Sequence, residues 1–174
     1  MKFRALEPDE VEVRVGTVGA KGVTLLLYKN ARVDQSILDE VYGAEWWQRD
    51  HKELKGNLFS GVSVWNKEIS QWVTKWDCGT ESNTEKEKGE ASDSFKRACT
   101  NLGIGRELYT SPFIFVSMET VKNDKGRYDL KDKFALNGAK VLEIKYEETA
   151  NKRSIKSVVI CDSKGMVIFP SNLS

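Results

Sequence analysis

Apolar and polar positions alternate in the first part of the chain in the pattern of a β-hairpin. Three valines alternate with charged residues or glycine over residues 11–18, which predicts a half-buried strand. Residues 19–22 are typical of a turn, and residues 23–28 are apolar enough to form the partner strand. The chain is therefore predicted to begin with an antiparallel hairpin.

The period then changes to that of a short amphipathic helix. Apolar residues recur on one helical face over residues 35–42. Asp34 or Ser36 is the predicted N-cap, and Gly43 is the predicted end.

Residues 46–78 are rich in β-forming residues and predict three antiparallel strands at 46–51, 58–65 and 69–76. Trp72 and Trp76 are expected on one face of the third strand. Tryptophan can pack in a core or stack on nucleic-acid bases. We favour packing, because five tryptophans account for much of the apolar area of a small domain.

The longest predicted helix follows. Thr84 and Glu87 have the spacing of a capping box, and apolar residues then recur with helical period as far as Leu102. Gly103 is the predicted C-cap, with Ile104 positioned to contact the last turn.

From residue 113 the pattern is β-like again, with strands predicted at 113–116, 139–146, 154–161 and 166–169 and a turn at 123–126. Together the elements predict an α+β fold. An antiparallel β-sheet packs on one long central helix, with an additional N-terminal hairpin, a short helix and C-terminal strands. A length of 174 residues suits a single domain.

Composition narrows the function classes. The formal net charge is +1, so any affinity for nucleic acid must come from a local basic surface. Three cysteines without CxxC spacing and one histidine argue against a zinc site, a disulfide framework and a histidine-dependent hydrolase, so no cofactor is expected. The apolar runs are too short for a bilayer and the N-terminus lacks a signal-peptide pattern, so we expect a cytoplasmic protein with no membrane partner.

The long helix carries the most informative cluster. At about 100° per residue, Lys96, Arg97 and Thr100 fall on one face, away from Phe95. A lysine point charge and an arginine fork can hold a phosphate backbone. The alternative is an ordinary solvated face, in which Asp93 pairs with Arg97.

This helix resembles the central helix of the Rad fifty-two superfamily of single-strand annealing proteins, which includes phage and bacterial relatives. The resemblance lies in residues 92–98 (Ser-Asp-Ser-Phe-Lys-Arg-Ala) and 102–103 (Leu-Gly). It extends upstream through residues 31–33, 38–41, Gly43, 46–47 and 72–79, and covers residues 11–109 in order.

The resemblance implies a non-enzymatic protein that binds single-stranded DNA in a basic groove of a homo-oligomeric ring and anneals complementary strands in recombination and repair. A single-strand binding protein is a further partner that it allows. Residues 1–111 then form the family-like core and residues 112–174 a β-rich extension. By resemblance Lys96 and Arg97 line the groove, and Arg14 matches a phosphate-binding arginine on the strand before the first helix. Thr100 replaces a third basic residue of some relatives, which Arg106 compensates if the bend at 103–105 turns it inward.

Other basic residues have two interpretations each. Arg49 and Lys75 lie on predicted strands and either line the groove or are solvated surface. Arg32 is expected to pair with a carboxylate. Lys152, Arg153 and Lys156 form a candidate second basic site in a predicted turn.

Two other function classes compete. Asp77, Glu81 and Lys86 suggest a metal-dependent nuclease, but no second acidic strand motif supports it. A protein-interaction or structural module would instead use the tryptophan-rich sheet and the basic C-terminal hairpins. Salt distinguishes these, since phosphate binding weakens steeply with salt and an apolar interface does not.

Overall fold

The computed structural model describes residues 2–79 and 86–170, with side chains of residues 86–88 excepted. In this part of the chain the strands are β1 (Glu12–Gly19), β2 (Gly22–Tyr28), β3 (Trp47–Leu54), β4 (Asn57–Asn66), β5 (Gln71–Cys78), β6 (Ile114–Ser117), β7 (Thr120–Lys122), β8 (Tyr128–Leu130), β9 (Lys140–Glu148), β10 (Arg153–Cys161) and β11 (Val167–Phe169). The α-helices are α1 (Ala31–Tyr42) and α2 (Lys86–Leu102), and 3₁₀ turns lie at Pro8–Glu10 and Arg106–Thr110.

The chain divides into two compact units. The first, called unit 1, comprises Met1–Arg4 and Lys29–Arg106. The second, unit 2, comprises Ala5–Tyr28 and Glu107–Ser174. The expectation of a single domain remains a prediction.

Unit 1 contains a three-stranded antiparallel sheet in the order β3-β4-β5, with α2 packed against β4 and β5. Its core lies between the sheet and the two helices, where Val62, Phe95 and Leu38 are fully buried. Helix and sheet are joined by polar contacts as well. The Ser60 and Ser94 hydroxyls lie 2.7 Å apart, and the backbone N–H of Leu58 donates to Glu90 Oε1 at 2.8 Å.

Helix α1 begins earlier than its sequence pattern predicts. The side chain of Asn30 is the N-cap, accepting from the N–H groups of Arg32 at 2.9 Å and Val33 at 3.2 Å. The predicted caps Asp34 and Ser36 were therefore wrong, and both lie inside the helix. The predicted end at Gly43 is confirmed, with a positive φ of 84°.

Helix α2 ends as its sequence predicts. Gly103 has a φ of 117°, and its N–H and that of Ile104 both donate to the carbonyl of Cys99, each at 3.1 Å. Ile104 is fully buried. The capping box with Thr84 lies outside the described residues.

Unit 2 is built on a six-stranded antiparallel sheet in the order β11-β10-β9-β1-β2-β6. The predicted hairpin β1–β2 is confirmed, and it lies in the middle of this sheet because Glu12 pairs with Lys140 of β9 and Val23 with Val116 of β6. Strands β7 and β8 form a separate hairpin around the predicted turn at 123–126. Strands β7 and β8 have three residues each, too few for an alternation of apolar and polar positions to predict them from the sequence.

The predicted fold class was wrong. The described chain is mostly β, with two α-helices and sheets of six, three and two strands, rather than one sheet on one long central helix. The physical reason is long-range pairing, since the N-terminal hairpin joins C-terminal strands and not β3–β5. Neither α-helix of the described residues has the length and hydropathy that a membrane crossing requires.

Candidate nucleic-acid interface

Arg97 projects from α2 toward strand β5. Its Nε lies 3.3 Å from Oδ1 of Asp77, and the Asn101 amide donates to Oδ2 of the same carboxylate at 3.0 Å. The Arg97 side chain is nevertheless 45% exposed. An exposed ion pair of this length contributes little free energy, so the guanidinium can exchange Asp77 for a phosphate.

Lys96 lies on α2 next to the polar cluster that joins α2 to α1. Its carbonyl oxygen is 3.5 Å from Nζ of Lys29, and its ammonium is close enough to Asp34 to lower the pKa of that carboxyl. Lys96 and Arg97 were expected to share one surface, but their contacts lie on different sides of the helix. Lys96 borders the α1 side of the helix and Arg97 the β5 side.

The cluster beneath Lys96 is buried. Lys29 and Asp34 form an ion pair in which the residues are 5% and 0% exposed. Burial raises the pKa of Asp34 to about 6, against the lowering effect of Lys29. Burial, with the Asp34 charge, also raises the pKa of the neighbouring Cys99 thiol, which keeps it protonated and unreactive.

Arg49 and Lys75 lie on the sheet face that carries α2. Arg49 of β3 and Lys75 of β5 are the direct cross-strand neighbours of the buried Val62 on β4, so the three side chains share one face. The Arg49 guanidinium lies 5.0 Å from the ring centre of Phe95 on α2. Arg49 and Lys75 are both exposed and therefore flank the helix on its two sides.

The same strand β3 carries the single histidine. His51 is hydrogen-bonded to Ser60 Oγ at 2.9 Å. Partial burial and the nearby Arg49 charge lower its pKa. His51 is thus predominantly neutral at neutral pH.

Thr100 and Arg106 are engaged at the end of α2. The Thr100 hydroxyl donates to the Lys96 carbonyl at 3.0 Å. The Arg106 guanidinium donates to the carbonyls of Thr100 and Asn101, each at 3.1 Å through Nη2. Arg106 therefore caps the helix C-terminus. The resemblance predicts a contact of Arg106 with DNA, whereas these hydrogen bonds predict a role in helix stability alone.

Arg32 is predicted to pair with a carboxylate, but no carboxylate of the described residues pairs with it. Arg32 is exposed in the first turn of α1, three residues after Lys29. The sequence showed that Arg32 precedes the apolar positions of the helix. It did not show that no carboxylate of the described residues would lie beside it. Arg32 is about 160° around the helix from Asp34, so it lies on the face of α1 opposite to the one that meets the Lys29–Asp34 pair.

The remaining predicted residues belong to unit 2. Arg14 on β1 is exposed, donates to Glu12 at 2.8 Å and lies 5.0 Å from the ring centre of Tyr28. Arg153 is mostly buried and pairs with Glu148 at 2.5 Å, with Glu107 at 3.8 Å. Lys152 is exposed, and Lys156 is exposed on β10 rather than in the predicted turn.

The residues proposed for a nuclease do not form an acidic site in the described chain. Both oxygens of Asp77 accept from Arg97 or Asn101, while Glu81 and the Lys86 side chain lie outside the described residues. Within residues 2–79 and 86–170, no three His, Cys, Asp or Glu side chains are grouped to hold a metal ion.

Comparison with known proteins finds no family model that matches the chain and no curated protein that is similar to it in sequence. The function is therefore inferred from the residues themselves. Chemically, the surroundings of α2 offer guanidinium and ammonium donors to an anion, with Asp77 as the carboxylate that contacts Arg97.

Proposed function

We propose that the protein binds single-stranded DNA through the basic surroundings of α2 and anneals complementary strands without enzymatic activity. The observation that carries this proposal is the arrangement of cations around α2 in unit 1. They lie on the helix and on strands β3 and β5 of the sheet beneath it: Lys96, Arg97, Arg49 and Lys75.

Such a surface suits the phosphate backbone. Arginine forks and lysine ammonium groups bind phosphates without reading base sequence. An annealing protein needs this property, because contacts to base edges would oppose the search for complementary sequence. Thr100, with its hydroxyl already directed to the helix backbone, contributes at most a neutral contact.

The near-zero net charge is consistent with a local surface. With 27 basic and 26 acidic residues, attraction to DNA must be confined to a part of the molecule. We further propose that copies of the chain assemble into a ring, which joins these local surfaces into a continuous groove. Arg14 is a proposed additional phosphate contact. Recombination and repair in the cytoplasm, with a single-strand binding protein as partner, complete the proposal.

The test is a charge-matched pair of double variants. We expect Lys96→Ala/Arg97→Ala to weaken binding of a single-stranded oligonucleotide about tenfold or more in fluorescence anisotropy. The slope of log K against log salt should become shallower by about 0.7 for each phosphate that the variant no longer neutralises. Lys133→Ala/Lys164→Ala removes the same charge from exposed positions of unit 2 and should leave affinity and slope nearly unchanged.

Three results would contradict the proposal. Equal loss of affinity in both double variants would mean that the α2 surface has no special role. Binding to a partner protein without salt dependence would favour an interaction module. Magnesium-dependent degradation of labelled DNA that Asp77→Ala abolishes would favour a nuclease.

A further inference from the structure

Aromatic rings form a connected cluster at one end of the unit 1 sheet. Trp65 and Trp72 are cross-strand neighbours on the sheet face opposite α2, with ring centres 5.5 Å apart in an edge-to-face arrangement. Trp46, which precedes β3, lies 6.1 Å from Trp65. Trp46 and Trp72 remain 44% and 39% exposed, so packing inside unit 1 leaves much of their apolar surface in solvent.

A pocket of about 380 Å³ opens beside this cluster. Its volume falls in the range of small-molecule sites, about 300–1,000 Å³. The walls combine three aromatic rings with two lysines and one carboxylate: Tyr42, Trp46, Trp65, Lys2, Lys67 and Glu68. Trp72 contacts Trp65 but does not line the pocket.

The charges of the walls discriminate between two kinds of ligand. Aromatic rings can enclose either an organic cation or a flat aromatic ligand. Here the Lys2 ammonium already lies 4.0 Å from the ring centre of Tyr42, and Lys67 adds a second positive charge against the single Glu68. A cationic ligand would therefore be repelled, whereas an aromatic group that carries an anion would be attracted.

We propose that this pocket holds one unpaired base of the single-stranded DNA, stacked on Trp46, with Lys2 and Lys67 near the adjoining phosphates. This inference rests on the proposed function and adds to it a contact with bases. Stacking on an aromatic ring accepts every base, because each has a π-face. A single stacked base per protomer therefore anchors the strand without selecting sequence and leaves the other bases available for pairing.

The test compares a thymidine oligonucleotide with an abasic oligonucleotide of the same length and phosphate count. The wild-type chain should bind the thymidine strand about tenfold more tightly, a difference of about 1.4 kcal/mol. Trp46→Leu should lower affinity for the thymidine strand to that for the abasic strand and leave the latter unchanged. Binding is measured by fluorescence anisotropy at one salt concentration, and thermal unfolding confirms that the variant is folded.

Trp72→Leu is the matched control, because Trp72 is similarly exposed and belongs to the same aromatic cluster outside the pocket. It should retain the preference for the thymidine strand. Equal wild-type affinity for both strands, or equal effects of the two substitutions, would contradict the stacking of a base in this pocket. Either result would leave the proposed phosphate binding intact. Binding of choline with higher affinity than thymidine monophosphate, measured by quenching of tryptophan fluorescence, would also contradict a base-binding pocket. Binding of neither strand would instead refute the proposed function.

Discussion

At the scale of single residues, the buried Lys29–Asp34 ion pair of unit 1 carries a large desolvation cost. Both charges are removed from solvent, and Oδ2 of Asp34 has no hydrogen-bond partner among the described residues. Desolvation of such a pair is only repaid when each ion keeps its partner. The pair lies directly beneath Lys96, so its integrity affects the position of a proposed DNA contact.

We predict that Lys29→Met destabilises the protein by about 3–5 kcal/mol at about pH 8, where Asp34 is left as an unpaired buried carboxylate. The folded-state pKa of Asp34 is already raised to about 6 from 3.8. Because the pKa is raised on folding, the stability that protonated Asp34 contributes is fully present below 3.8, its pKa in the unfolded chain. This stability is lost as pH rises through the folded-state pKa of about 6. The defect should therefore shrink at about pH 5, where Asp34 can be protonated. Urea unfolding at both pH values measures it.

The control is Lys29→Met/Asp34→Leu, which replaces both charges by apolar groups. This variant should recover most of the stability that Lys29→Met removes, and it should not show the added pH dependence. If Lys29→Met lowered the unfolding free energy equally at both pH values, the loss of stability would not come from an unpaired Asp34 carboxylate.

Two arginines near the end of α2 should separate stability from DNA binding. Arg106→Gln removes the donors to the last carbonyls of the helix and should cost about 0.3–1 kcal/mol in urea unfolding, with no change in the salt dependence of DNA binding. Arg97→Gln removes the exposed ion pair with Asp77 and should reduce the salt slope by about 0.7 with little effect on stability. The reverse pattern would exchange the roles assigned to the two residues.

At the scale of elements, the junction of β5 with α2 depends on a close approach of two backbones. Gly79 is buried, and its N–H donates to the Leu58 carbonyl at 3.1 Å. A Cβ at this position would overlap the carbonyl oxygen of Glu90 and lie 3.0 Å from the N atom of Ser94. Because both obstacles are helix backbone, neither can be relieved by a side-chain rotation.

We therefore predict that Gly79→Ala destabilises the protein by about 1–3 kcal/mol, the usual cost of overpacking. Gly19→Ala is the control, since a Cβ there meets only one atom, at 3.9 Å. It should change the unfolding free energy by no more than about 0.5 kcal/mol. Similar effects of both substitutions would mean that the Gly79 contact adapts.

Elements were predictable where the signal is local. The hairpin β1–β2, the strands β3–β5 and the C-terminal end of α2 follow from periodicity and from Gly103. The sheet to which each strand belongs was not predictable, because periodicity defines the buried face of a strand but not its neighbour. The pairing of Glu12 with Lys140 joins residues that are far apart in sequence, and it made the predicted fold class wrong.

The candidate site shows the same division. The helical positions of Lys96 and Arg97 followed from residue spacing. The Asp77 partner of Arg97 did not, because the contact is made across two elements. Tertiary contacts also decided that Arg106 caps the helix and that Arg32 has no described carboxylate beside it.

At the scale of the whole molecule, a nearly neutral chain must gain DNA affinity by repetition of a local surface. Each phosphate contact on a single strand adds about 0.7 to the salt slope, so the Lys96–Arg97 pair of one copy supports a slope of only about 1.4. If copies assemble along the strand, each additional copy that the strand reaches adds the same amount.

We predict that the salt slope becomes steeper as the oligonucleotide is lengthened, until the strand is long enough to fill the assembly. Anisotropy titrations with thymidine oligonucleotides of increasing length measure the slope, while sedimentation velocity and electron microscopy show whether closed rings form. The Lys96→Ala/Arg97→Ala variant should assemble normally, since its substitutions lie on the proposed groove, but each copy that the strand reaches should add about 1.4 less to its slope than in the wild type. A wild-type slope that is independent of length, or a strict monomer that still anneals strands, would contradict binding by a shared groove.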